Sequence, residues 1–184
     1  MLVLASASPR RAELLRFAGF SFRVVVAEVD ERLRSGETPA AYVRRLASDK
    51  SAAALRVVKD PSVVILGADT TVVVDGEILA KPADDREAAA MLRLLSGRAH
   101  EVLTGVSLRR GAAEVGRVES TTVHFTTLTD RDVEWYVASG EGRDKAGGYA
   151  IQSLASRFIP RIEGSYSNVV GLPVAVVAEL LPQL

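Results

Sequence analysis

A chain of 184 residues has room for one well-packed domain, or one domain of two lobes, and is short for two independent ones. With 48% hydrophobic and 25% charged residues it is neither disordered nor membrane-spanning in composition, and 23 basic residues against 23 acidic ones exclude a broad nucleic-acid footprint while allowing a local cationic pocket. The absence of cysteine removes disulfides, thiol nucleophiles and thiolate-bound zinc, leaves two histidines as strong metal ligands, and fits a reducing compartment.

The start, MLVLASASPRR, has no basic region ahead of its apolar run, and arginines stand where a leader peptide would carry small residues. Residues 2–5 therefore read as a buried strand, and a cytoplasmic protein is the default. A helix follows: Ser8 is a good N-cap, Pro9 suits the first position, Leu14, Leu15 and Ala18 recur at helical spacing, and Gly19 stops it. Arg10 and Arg11 have the wrong sign for a helix N-terminus, which typically forfeits about 0.3–1 kcal/mol unless an anion is present. Hydroxyls of Ser6 and Ser8, free helix N–H groups and two guanidinium forks converge there, and phosphate is the anion they suit. Arg11 shares the face of Leu14, Leu15 and Ala18, whereas Arg10 points about 100° away. No GxxxxGK[ST] is present, so this is not a P-loop.

FRVVVA (22–27) reads as a strand, followed by an acidic loop with Glu28, Asp30 and Glu31. Thr38 and Pro39 open a helix with Val43, Leu46, Ala47, Ala54 and Val57 on one face, and Lys50 lies on that same face. VVILGA (63–68) is a continuous apolar run ending in Asp69-Thr70-Thr71, and a polar cluster at the end of a buried strand is a favoured ligand position. Asp69 suits the holding of Mg²⁺ or the orienting of a water, with Glu28, Asp30 or Glu31 as a second oxygen ligand; spacing does not say which of the three turns inward. VVV-DG-EIL (72–79) is a hairpin that returns Lys81 toward this region. Lys50 and Lys81, with the two arginines, supply the positive charge a triphosphate requires.

Further on, Asp84 with Glu87 and Thr129 with Asp132 form capping boxes for two helices, the first with Ala88, Met91, Leu92 and Leu95 inward. Residues 99–109 and 114–126 read as strands joined around Gly111, 157–162 as another, and AVVAELL as a short terminal helix. Trp135 and Tyr136 read as core, and His100 and His124 as structural. Segments 139–153 and 164–173 read as loops with many special positions. Gln152, beside Tyr149 in the first, can both donate and accept, as recognition of the imide edge of uracil or thymine requires. The order of elements indicates a mixed α/β sheet, whose exposed length suits a homodimer.

Seven segments in one order, LASASPRRAELL, VDE (29–31), RLASDK (45–50), GADTTVVVDGEILAKP (67–82), LSGRAHEVLTG (95–105), DKAGGYAIQS and GSYSNVVGLP, resemble the Maf family of nucleoside triphosphate pyrophosphatases over nearly the whole chain. Within it the chain is most similar to the subgroup acting on dTTP and UTP. The sister subgroup acting on 7-methyl-GTP typically has Trp at the position of Arg10, Gln at Thr70 and Glu at Gln152. The resemblance implies one domain over 1–184, with an elongated central sheet flanked by helices and two lobes about a cleft, related to inosine triphosphate pyrophosphatases. It implies a divalent cation, Mg²⁺ or Mn²⁺, held by Asp69 and Glu31, with Asp69 catalytic. It further implies that Ser6, Arg10, Arg11, Lys50 and Lys81 hold the triphosphate, and that Arg10, Thr70 and Gln152 govern base selection. Ser153 departs from the glycine common after that glutamine. The alternatives are 7-methyl-GTP cleavage and a nucleotide-binding regulator of septum formation.

Overall fold

In the computed structural model, which describes residues 1–184, β1 (Leu2–Ala5) runs between β2 (Phe22–Val24) and β3 (Val64–Val74), parallel to both. Alternate side chains of a strand point to opposite faces. Leu2, Leu4, Val64, Leu66 and Ala68 therefore pack with Ala12 and Leu15 of α1 (Pro9–Phe17) and with Val176, Val177 and Leu180 of α6 (Val174–Leu180). Val3, Ala5, Val63 and Ile65 pack on the other face with Ala54 of α2 (Pro39–Val58). Burial on both faces is what makes 63–68 an unbroken apolar run.

Two glycines let α2 lie directly on the sheet. A Cβ on Gly67 of β3 would stand 2.2 Å from the Ala47 carbonyl oxygen, and one on Gly105 of β5 (Ala99–Arg110) would stand 2.1 Å from that of Val43. The full sheet has seven strands in the order β2-β1-β3-β5-β6-β7, where β6 is Ala113–His124 and β7 Arg161–Glu163, and β4 (Glu77–Leu79) pairs with β3. It is mixed, since β3–β4 and β6–β7 are antiparallel.

The chain divides into two compact units, one of residues 1–70, 104–119 and 171–184 and the other of 71–103 and 120–170. The first is the β1-centred assembly just described. In the second, Asp75 and Gly76 turn the hairpin with φ of 52° and 83°, as a type I′ turn demands. Asp84 caps α3 (Asp85–Leu95) by accepting the Glu87 N–H at 2.7 Å, while the Glu87 carboxylate reaches the Ala83 N–H, one residue before the expected box partner. Thr129 and Asp132 form the full box on α4 (Asp130–Ala138). Tyr136 is buried, but Trp135 is not core: it is 40% exposed, with the Arg157 guanidinium 4.5 Å from its ring centroid.

Several boundaries differ from the sequence reading. β2 ends at Val24, because β1 is its only partner and ends at Ala5; Val26 beyond it is exposed. Residues Leu154–Phe158 form a 3-10 turn, and only Arg161–Glu163 after Pro160, which has no N–H to give a ladder, pair as a strand. Tyr166–Val170 within the expected loop is a short helix, α5. Val57 of α2 is exposed, because it falls on the solvent face of the last turn while Leu55 and Val58 keep packing against the sheet. No helix is long and apolar enough to cross a membrane.

Candidate active site

Asp69 and Thr70 sit inside β3 and not at its end. The last β3 residue paired with β1 is Gly67, opposite Ala5, and the first paired with β4 is Val72. Residues 68–71 thus lie where the partner on that edge changes from a parallel to an antiparallel strand, a break of the kind that opens ligand sites in α/β sheets. Strand alternation then assigns the two side chains: Asp69 follows Ile65 and Gly67 toward α2, and Thr70 follows Leu66 and Ala68 toward α1.

On the α2 face, close packing at Gly67 brings the helix backbone of Ala47 and Ser51 onto β3 and with it Lys50. Its Nζ lies 2.6 Å from Asp69 Oδ1 and 2.7 Å from Glu31 Oε1. Lys50 and Asp69 are nearly buried, whereas Glu31 reaches in from the exposed loop. Of the three loop acids, Asp30 is taken by Arg32 at 2.7 Å, whose hydrogen bonds hold its carboxyl well below the usual range, and Glu28 is exposed. Glu31 is the one that joins Asp69 through a shared cation.

On the α1 face, Arg11 is buried. Its Nε donates to the Gly171 carbonyl at 2.7 Å, Nη1 to Ser6 Oγ at 3.3 Å and Nη2 to Thr70 Oγ1 at 2.9 Å. Thr70 Oγ1 also donates to the Gly171 carbonyl at 3.2 Å and shares a 2.9 Å hydrogen bond with Thr104. Ser6 Oγ accepts the Ser8 N–H at 3.1 Å, while the Ser8 side chain makes no cap. Burial is the largest influence on Arg11 and draws it below the usual guanidinium value, with Asp69 opposing and Arg10 reinforcing. Every acceptor of this guanidinium is a neutral oxygen. Arg10 is half-buried, on the adjacent face.

The remaining expected residues belong to the second unit. Lys81, beyond β4, and Gln152, in the turn after the glycine-rich 3-10 segment Ala146–Gly148, are both exposed. Tyr149 is buried and its hydroxyl meets His100 Nε2 at 2.7 Å, with Phe125 edge-on to both rings. Burial pulls His100 down to about 4, so its imidazole is neutral near pH 7. His124 pairs with Glu163 at 2.8 Å.

Sequence reasoning missed a polar network under α2. The Glu114 carboxylate accepts from Arg44 at 2.9 Å, Arg109 at 2.6 Å, Ser107 at 2.8 Å and Ser48 at 3.1 Å, and Ser51 bonds Ser107 at 2.8 Å. Burial works to raise the Glu114 carboxyl, but these donors outweigh it and hold it low. The signal was there: Arg44, Ser48 and Ser51 are polar residues at helical spacing on a sheet-facing stripe.

The model of the family described as Maf-like protein matches residues 1–184. The chain belongs to the Maf family. This Maf chain is 52% identical over 182 residues to a protein of Symbiobacterium thermophilum named dTTP/UTP pyrophosphatase, covering 99% of this chain and 93% of that one. It is 49% identical over 188 residues to one of the same name from Shewanella oneidensis, covering 99% and 97%. Among solved structures, the Staphylococcus aureus Ham1 protein superposes with a TM-score of 0.57 at 14% identity, covering 99% of the Maf chain and 98% of its own, which carries the fold.

Proposed function

We propose that the chain, acting as one domain over residues 1–184 in the cytoplasm, hydrolyses dTTP and UTP between the α- and β-phosphates to the nucleoside monophosphate and pyrophosphate. The observation that carries this reading is the division of β3 into two opposed faces: an acid pair with a lysine on one, and a buried guanidinium without a carboxylate partner on the other. A buried cation solvated only by neutral groups is costly, and a polyanionic substrate supplies its counter-ion. Relatives that cover nearly the whole chain carry this activity in their names.

Asp69 and Glu31 fit a hard divalent cation such as Mg²⁺ or Mn²⁺. Both are carboxylates, and they already converge on one cationic nitrogen. No third His, Cys, Asp or Glu is grouped with them, so phosphate oxygens and water would have to supply the remaining ligands, as they commonly do for Mg²⁺. When bound, such a cation supplies charge neutralisation on the phosphates and a more acidic water. Asp69 takes the proton of the water that attacks the α-phosphorus, and the bond from that phosphorus to the bridging oxygen breaks with its electron pair leaving on pyrophosphate. Ser6, Arg10, Arg11, Lys50 and Lys81 hold phosphate oxygens and balance the charge that builds on the leaving group. Arg10, Thr70 and Gln152 select the base.

A nucleotide panel with Mg²⁺ or Mn²⁺ tests this. Pyrophosphate release from dTTP and UTP, far above that from 7-methyl-GTP, is the expected result. The reverse ranking overturns the base assignment, and triphosphate binding in calorimetry without turnover of any nucleotide turns the chain into a binding regulator.

A further inference from the structure

We infer that Tyr42 and Arg45 are positioning residues that hold Glu31 at Lys50, an inference that rests on the hydrolytic reading above for its catalytic consequence. The segment between β2 and α2 has neither helix nor strand, and within residues 26–37 main-chain pairing amounts to the Glu37 N–H donating to the Arg34 carbonyl at 3.1 Å. A loop so poor in backbone bonds opens easily, and an exposed glutamate on it has no fixed place of its own.

Three successive carbonyls around Glu31 are nevertheless tied to α2 by two side chains. The Tyr42 hydroxyl donates to the Glu31 carbonyl at 2.9 Å. Arg45 Nη1 donates to that of Asp30 at 3.5 Å and Nη2 to that of Arg32 at 3.2 Å. The two side chains are one helical turn apart on one face, with the guanidinium 5.6 Å from the phenol ring centroid. The same guanidinium grips Glu37 with Nε at 2.6 Å and Nη2 at 2.7 Å, and Glu37 accepts the Arg34 N–H at 3.1 Å. Asp49 lies 3.6 Å from Arg45 Nη1.

One arginine thus fastens both ends of residues 30–37 to the helix that carries Lys50. The peptide of Glu31 and the ammonium it meets are referenced to the same rigid element, which fixes the 2.7 Å contact despite the loop's lack of pairing. The role needs the planar fork of arginine, because a lysine cannot reach two backbone carbonyls and a bidentate carboxylate together.

The test combines hydrogen exchange with a double-mutant cycle. Tyr42→Phe removes one hydroxyl and is expected to speed amide exchange in residues 28–34 about fivefold, the equivalent of one hydrogen bond, with exchange in β1 and β3 unchanged. It is expected to lower kcat for UTP about fivefold in the native background and less than about twofold in a Glu31→Gln background, because its effect passes through Glu31. Arg45→Lys, which keeps the charge and loses the fork, gives the same pattern more strongly; should it fail to fold, Tyr42→Phe decides alone. Unchanged exchange in 28–34, or the same loss of turnover with and without the Glu31 carboxylate, overturns the inference. If the native protein releases no pyrophosphate from any nucleotide, the functional reading has failed, and exchange by itself still decides whether Tyr42 and Arg45 anchor the loop.

Discussion

Lys50 and Asp69 meet at 2.6 Å across the packing of α2 on β3, with nearly all of both side chains out of water. Asp69→Asn preserves shape while removing the proton acceptor, and Glu31 still pairs with Lys50. We expect pyrophosphate release to fall by about 10²–10⁴-fold, the usual span for losing a general base. Unfolding free energy in urea should fall by about 1–2 kcal/mol, because the amide oxygen still accepts from Lys50 but without the carboxylate charge. Unaltered turnover would remove Asp69 from its role.

Adjacent arginines should behave differently. Arg11→Met leaves the Gly171 carbonyl, Ser6 and Thr70 without their charged donor, and is expected to destabilise by about 2–3 kcal/mol as well as to weaken substrate binding. Arg10→Ala removes a half-buried side chain on the neighbouring face and should stay within about 0.5 kcal/mol of the native stability while raising KM. Chemical denaturation alongside initial-rate kinetics separates the two.

Gly67→Ala drives a methyl group into the Ala47 carbonyl, 2.2 Å from its Cβ, and 2.8 Å from the Ser51 nitrogen. The helix must move away from β3, at a cost of about 1–3 kcal/mol, and Lys50 moves with it. The expected signature is a loss of turnover beyond what reduced folding explains, seen by measuring rates well below the melting transition.

Acid lability should begin before the carboxylates titrate. Burial holds His100 at about 4, against 6.5 for the free side chain, so the folded state prefers the neutral ring. Unfolding therefore takes up a proton, and the stability tied to His100 is whole above pH 6.5 and is lost progressively as pH falls from 6.5 toward 4. Urea titrations across that window should show this slope, and His100→Gln should flatten it.

What the sequence disclosed was mostly local. Pro9, Thr38-Pro39, Asp75-Gly76 and Thr129-Asp132 carry their geometry within four residues, and each stands where its chemistry indicated. Asp69 was recognisable as a reactive acid, but its polarity read as the end of a strand that in fact continues to Val74, because the partner change at residues 68–71 depends on strands distant in sequence. The choice of Glu31 over Glu28 and Asp30 likewise depends on Arg32, Tyr42 and Arg45, which no spacing rule links to it. Glu114 is similar: its donors lie up to 70 positions away, and only the fold gathers them.

The alternation of β3 gives its length an arithmetic. Asp69 and Thr70 owe their opposite neighbours to being adjacent in a strand whose frame is set upstream by its pairing with β1, where Leu4 lies across from Leu66 and Ala5 from Gly67. Deleting a single residue between Val64 and Ala68 would slide the carboxylate onto the side of α1 and the hydroxyl onto the side of α2, exchanging the faces on which the acid and the buried guanidinium work. Only even changes preserve that sidedness, and even these disrupt the glycine contact under α2. Insertions and deletions in relatives of this chain should therefore be missing from the first six residues of β3, a frame constraint imposed by geometry on the gene.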